Sequence, residues 1–156
     1  MKEHSYEIKL EWTGNKGSGT FDYRSYSRDH ILSAKGKGLE ILGSSDPGFR
    51  GDKSRYNPEE LFLASISSCH MLWYLHLCAV NGVIVLEYSD EPKGVMNEND
   101  NGSGQFSNVV LHPNVKVSKE SMVEKANELH HKANEMCFIA NSCNFEIKHS
   151  PLCSVA

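Results

Sequence analysis

The chain has no excess of positive charge: sixteen Lys and Arg stand against twenty Asp and Glu, a net charge of -4, which argues against nucleic acid or an anionic membrane as partner. It has no Gly-rich phosphate loop, no nucleotide fingerprint and no Gly-x-Ser-x-Gly elbow, so nucleotide-dependent and serine-hydrolase chemistries lack their usual signatures. Cys-x-x-Cys and His-x-x-x-His are missing too, and the adjacent His130 and His131 point to different helix faces, so no metal site is expected. There is no internal repeat, and no hydrophobic leader is read at the start of the chain. The five cysteines, Cys69, Cys78, Cys137, Cys143 and Cys153, cannot all pair within one chain. A disulfide scaffold is therefore not expected, and a reducing cytosol is. Hydrophobic residues at 39% and charged residues at 23% of a 156-residue chain are enough for one folded domain, expected over residues 1–156.

Apolar residues alternate with polar ones from Ser5 to Trp12, which predicts a strand with one wet face. Thr20 to Tyr26 is expected to pair with it as a hairpin, and a third short strand is expected around His30 to Ala34. Gly36 to Tyr56, rich in Gly, Ser, Asp and Pro, reads as a long loop. Asn57-Pro58-Glu59-Glu60 then carries the full grammar of a helix start: a capping Asn, Pro in the first turn, and an acid at the third position. That helix should run to Val80 and stop at Asn81-Gly82. Val83 to Met96 and Phe106 to Val117 predict a second hairpin around the polar Asn97 to Gly104 segment. Ser118 to Met136 has helical periodicity, and Asn144 to Lys148 reads as a last strand. The order β-β-β-α-β-β-α-β is α+β, with helices against a mostly antiparallel sheet.

Leu61 to Val80 contains no Asp, Glu, Lys or Arg, a length that could span a bilayer. Ser65, Ser67, Ser68, His70 and His76 are costly in lipid, so burial on nearly all sides is expected instead. One sheet in a small monomer covers only part of such a helix, and the composition predicts a second subunit over the rest. Ser65, Cys69 and His76 share one side of the helix. Cys69 there is either a small buried hydrophobe or a reactive thiol.

The run Asn57-Pro58-Glu59-Glu60-Leu61-Phe62, then Ala64 and Ser67-Ser68-Cys69, resembles the motif leading to a helical cysteine in the OsmC/Ohr family of organic hydroperoxide reductases. A later helix with His130 and Glu135 ending at Cys137 resembles the family's second cysteine-bearing helix. The resemblance covers nearly the whole chain. It implies an OsmC-like fold, an intertwined homodimer, and reduction of organic, lipid-like hydroperoxides with neither metal nor haem. In that reading Cys69 is the peroxidatic thiol, Cys137 resolves its sulfenic acid, and an external dithiol of lipoyl type reduces the disulfide. Phe62, Met71, Trp73 and Tyr74 are candidates to line the substrate pocket, with the core as their alternative place.

A reactive thiolate in apolar surroundings requires a nearby cation, itself held by an anion. Glu59 matches the family acid. At about 1.5 Å per residue it stands roughly 15 Å from Cys69 along the helix, so it either serves the Cys69 of the other subunit, steers an arginine, or only sits on the helix dipole. The resemblance implies Arg50, in the loop before the Asn-Pro-Glu motif, as the first choice of cation and Arg24, near the N-terminus, as the second; Arg28 and Arg55 read as solvated charges. No proline follows Cys137, a departure from the family that leaves Cys143 as a substitute resolver. Cys78 reads as a packed thiol and Cys153 as a tail thiol. Two other functions compete: a non-catalytic dimer that binds an apolar ligand at the subunit interface, and a thiol redox sensor.

Overall fold

Asn57 and Glu60 start the central helix reciprocally: the Asn57 N–H donates to Glu60 Oε2 at 3.0 Å and the Glu60 N–H to Asn57 Oδ1 at 2.8 Å, so two backbone donors that a helix start leaves open are satisfied. The resulting helix, α1, spans Pro58–Val80. It ends where Gly82, at φ 73°, takes the left-handed conformation that a side chain would oppose. These coordinates come from a computed structural model that describes residues 2–156. The chain divides into two compact units, one ending at Leu61 and the other running Phe62–Ala156.

The first unit holds a three-stranded antiparallel sheet of β1 (Lys9–Trp12), β2 (His30–Ser33) and β3 (Ile41–Gly43), with β2 in the middle. Trp12 pairs with His30, and His30 in turn with Gly43. Two expectations change here. Thr20 to Tyr26 is not a strand but a series of turns, because its polar side chains bond the local backbone instead of leaving it free to pair. Asp22 Oδ1 accepts from the Arg24 N–H at 2.6 Å, Ser25 Oγ donates to Gly19 O at 3.0 Å, and Asn15 Oδ1 accepts from the N–H groups of Gly17 and Gly19. The expected loop from Gly36 to Tyr56 contains β3 and a 3-10 turn at Pro47–Phe49 capped by Asp46.

The second unit carries two further three-stranded sheets, each with one antiparallel and one parallel pairing. One has the order β4 (Val85–Asp90), β7 (Pro113–Val117), β9 (Leu152–Val155); the other has β5 (Lys93–Glu98), β6 (Gly104–Leu111), β8 (Ile147–His149). Each of the two β-rich stretches expected as one strand is thus two strands. The breaks fall at Pro92 and next to Pro113, residues that cannot donate to a ladder. Asp90 ties the break to α1, since its carboxylate accepts from the Ser67 hydroxyl at 2.5 Å and from the His112 N–H at 2.7 Å.

After a 3-10 turn at Glu120–Met122, α2 (Val123–Met136) packs on β8 and β9. Its apolar positions Ala126, Leu129 and Ala133 join Tyr74, Cys78, Val83, Val115, Val117 and Cys153 in the main core. A second cluster of Ile66, Val109, Leu111 and Ile147 takes Phe62 and Phe106 against it. The helix does not run on through Cys137: that residue is extended and caps a short α3 (Phe138–Asn141), so the chain breaks there without proline. Cys153 is not a tail thiol, because β9 follows the expected last strand and buries it.

Along α1 the side chains that the chain itself buries are Ile66, His70, Tyr74 and Cys78, one stripe at a spacing of four. The expectation of burial on nearly all sides is not met within the chain, and Leu72 and Val80 remain 63% and 64% exposed.

Candidate functional site

The stripe of α1 next to the buried one carries Cys69, Trp73 and His76. With Leu72 and with Phe138 from α3 they line a cavity of about 370 Å³, within the range of small-molecule sites. Trp73 sets the shape of the wall, meeting His76 edge-on at 5.9 Å and Phe138 at 5.6 Å. Cys69 is half-buried, accessible from the cavity yet backed by the core. Of the aromatics expected to line such a pocket, Trp73 does. Phe62 packs into the second core against Phe106, and Tyr74 is fully buried. Met71 does not line the cavity. Leu72 and Phe138 take those places; a spacing rule along α1 cannot find Phe138, which arrives from another element.

The Cys137 thiol is buried and lies near enough to Cys69 for the two thiols to influence each other. The break between α2 and α3 puts it there: with Cys137 extended, Sγ turns back to accept the Ala140 N–H at 3.4 Å. Burial pushes the Cys137 thiol well above its ordinary pKa of 9.0, and the adjacent Cys69 raises it further. Cys137 is thus a buried, protonated thiol, a weaker nucleophile at rest than an ordinary cysteine. Cys143 is occupied elsewhere, its thiol donating to Ile139 O at 3.3 Å and packing in the second core. Glu135, in the last turn of α2, sits at the surface with Lys132 and His131 at 2.7 and 3.5 Å.

The charged candidates of the first unit differ sharply among themselves. Arg50 is exposed and holds a left-handed backbone, φ 64°, at the end of the 3-10 turn, and Arg24 is exposed as well. Glu59 is half-exposed in the first turn of α1. Arg28 and Arg55, expected to be solvated, are not. The Arg28 guanidinium lies over Tyr23 and Tyr26 at 4.3 and 4.2 Å and donates to both their carbonyls. Arg55 is half-buried between Asp29 and Asp52 at 3.9 and 3.8 Å, with a buried Nη1 that has no partner. The tyrosines that hold Arg28 lie just before it in the sequence, whereas Asp29 reaches Arg55 from a distant stretch of the chain. Among the described residues, no three His, Cys, Asp or Glu side chains are grouped to hold a metal ion.

Residues 51–151 match the family model described as OsmC-like protein. A solved OsmC-like protein of unknown function from Vibrio cholerae O1 biovar eltor is 35% identical over 97% of this chain and 100% of its own, with a TM-score of 0.82. An organic hydroperoxide resistance protein from Elizabethkingia anophelis superposes with a TM-score of 0.71 at 22% identity, covering 98% and 100% of the two chains. An organic hydroperoxide resistance protein of Bacillus subtilis gives 0.63 at 20% identity, over 94% and 98%. At those identities the last two share the fold. No curated protein matches the chain significantly.

Proposed function

The chain belongs to the OsmC-like protein family, and from that premise we propose that it is a thiol-dependent peroxidase that reduces organic hydroperoxides with Cys69 and Cys137. The observation that carries this reading is the pair of neighbouring thiols, one opening on an aromatic cavity and the other buried beside it. The Cys69 thiolate attacks the distal peroxide oxygen; the O–O bond breaks, the alkoxide leaves as alcohol, and sulfur becomes a sulfenic acid. Cys137 condenses with that sulfenic acid, a disulfide forms and water departs. A dithiol of lipoyl type then takes up the oxidation, becoming a disulfide as the protein returns to two thiols.

The walls favour an apolar substrate. Leu72, Trp73 and Phe138 offer contact to an alkyl or aryl group and nothing to the second oxygen-bound hydrogen of hydrogen peroxide. We therefore expect kcat/KM for cumene hydroperoxide to exceed that for hydrogen peroxide by at least about tenfold, the scale on which a hydrophobic pocket discriminates. Peroxide consumption with dihydrolipoamide as reductant measures it. Equal rates would contradict the role of the cavity, and no consumption of either peroxide would leave the apolar-ligand binder or the redox sensor.

In this reading the enzyme works as a homodimer. The exposed apolar side chains of α1, Leu72 and Val80 among them, are the ones a second subunit would cover. The cation that activates Cys69 is Arg50, or Arg24 in its place, with Glu59 as the anchoring acid, contributed across the dimer.

A further inference from the structure

α1 and α2 meet through imidazoles that the thiol chemistry does not use. His70 and His130 are both 0% exposed. Their rings lie nearly parallel, 4° apart with centroids at 5.3 Å, and a hydrogen bond of 3.0 Å joins His70 Nε2 to His130 Nδ1. His130 also stacks on Tyr74 at 3.8 Å, and its Nε2 stands 3.7 Å from Cys153 Sγ, which the Tyr74 hydroxyl reaches at 3.9 Å. His149 on β8 closes the cluster, 5.8 Å from His70 and 6.5 Å from His130. Buried Nδ1 atoms of His70 and His149 have no hydrogen-bond partner.

The bonding assigns the tautomers. An unpartnered nitrogen costs least as a bare acceptor, so His70 carries its proton on Nε2 and donates it to His130 Nδ1, while His130 Nε2–H faces the Cys153 sulfur. This arrangement works only with both rings neutral. A proton added to His130 Nδ1 would set N–H against N–H, and one added to His70 Nδ1 would bury a cation without an acceptor. The titratable groups around the pair offer no compensation: Tyr74 and Cys78 on α1, Tyr88 on β4, His149 on β8 and Cys153 on β9. The nearby carboxylates act elsewhere, Glu146 on His149 and Glu135 on Lys132 and the exposed His131.

We infer that the His70–His130 pair is an acid-sensitive latch between α1 and α2, closed while both rings are neutral and released when either takes a proton. His70 directly follows Cys69, and Cys137 directly follows the end of α2, so release also frees the two thiols from their spacing. That second consequence rests on the peroxidase reading; the latch does not. Burial, followed by the neighbouring imidazoles, lowers His70 to about 4 and His130 to about 3 from an ordinary 6.5. Depressed histidines make the unfolded chain the stronger proton binder. Their stabilising effect is complete above pH 6.5 and is lost as the pH falls from there toward 4.

The test compares the wild type with His70→Gln/His130→Asn, in which Gln Nε2 and Asn Oδ1 reproduce the donor and acceptor without a titrating ring. Between pH 7.5 and 5.5 the wild-type folding equilibrium should fall about a hundredfold further than the variant's, roughly tenfold per histidine. That corresponds to a thermal midpoint about 5–10 °C lower. Parallel profiles would overturn the latch. If the variant does not fold, nitrogen NMR of the wild-type imidazoles decides: both must stay neutral at pH 5.5 while the protein is folded, and reversible titration of either near 6.5 would overturn it. Disulfide formation by cumene hydroperoxide is followed in the same samples. Its absence at every pH would count against the peroxidase and leave the stability profiles to judge the latch.

Discussion

Cys69→Ser is expected to abolish peroxide consumption while the protein stays folded. Serine replaces sulfur with oxygen at nearly equal volume, and the side chain sits half-exposed at a cavity wall, so the cost in stability should stay near or below about 1 kcal/mol. The chemistry does not survive the exchange, because an alkoxide is inaccessible at neutral pH and a hydroxyl is a poor nucleophile toward peroxide oxygen. Steady-state consumption should drop by about three orders of magnitude or more, with an unchanged circular dichroism spectrum and a thermal midpoint within a few degrees. Retained activity in a folded variant would remove Cys69 from the mechanism, and the other half-buried thiol, Cys143, would be the one to examine.

Cys137→Ser should produce a different failure. Cys69 remains able to attack, so one molar equivalent of hydroperoxide is still consumed and a sulfenic acid forms. Without the neighbouring thiol no disulfide follows, turnover stops, and excess peroxide drives Cys69 on to sulfinic and sulfonic acids. Trapping with a sulfenic-acid reagent, followed by intact mass, reads both stages. Cys143→Ser should behave as wild type, since that thiol is engaged with Ile139 O. If Cys143→Ser over-oxidises and Cys137→Ser does not, the resolving role passes to Cys143.

What the sequence made legible divides along physical lines. Both ends of α1 were readable because their signals are local: a capping Asn with an acid three residues on, and a glycine at the left-handed stop. The α+β order was readable for the same reason, from periodicities within each stretch. The splitting of two β-rich stretches into four strands was missed, although Pro92 and Pro113 mark the breaks. The strand expected at Thr20 to Tyr26 failed because Asn15, Asp22 and Ser25 satisfy the backbone locally, a competition that β-propensity does not register.

At the site, Cys69 and His76 could be placed from their spacing on one helix. Phe138, the approach of Asp29 to Arg55, and the His70–His130 contact could not, since each depends on residues brought together by the fold. The break at Cys137 illustrates the difference. The missing proline left Cys143 as a substitute, yet the extended backbone at Cys137 breaks the helix without one and turns the thiol back onto the Ala140 N–H.

The central claim is that Cys69 and Cys137 form one redox couple driven by an organic hydroperoxide. Mass spectrometry of the reduced protein before and after one equivalent of cumene hydroperoxide tests it most directly. The expected result is a loss of about 2 Da, the two hydrogens given up in a disulfide, mapped after proteolysis to a linked peptide pair containing Cys69 and Cys137. An unchanged mass, or a linkage that leaves out Cys69, would contradict it.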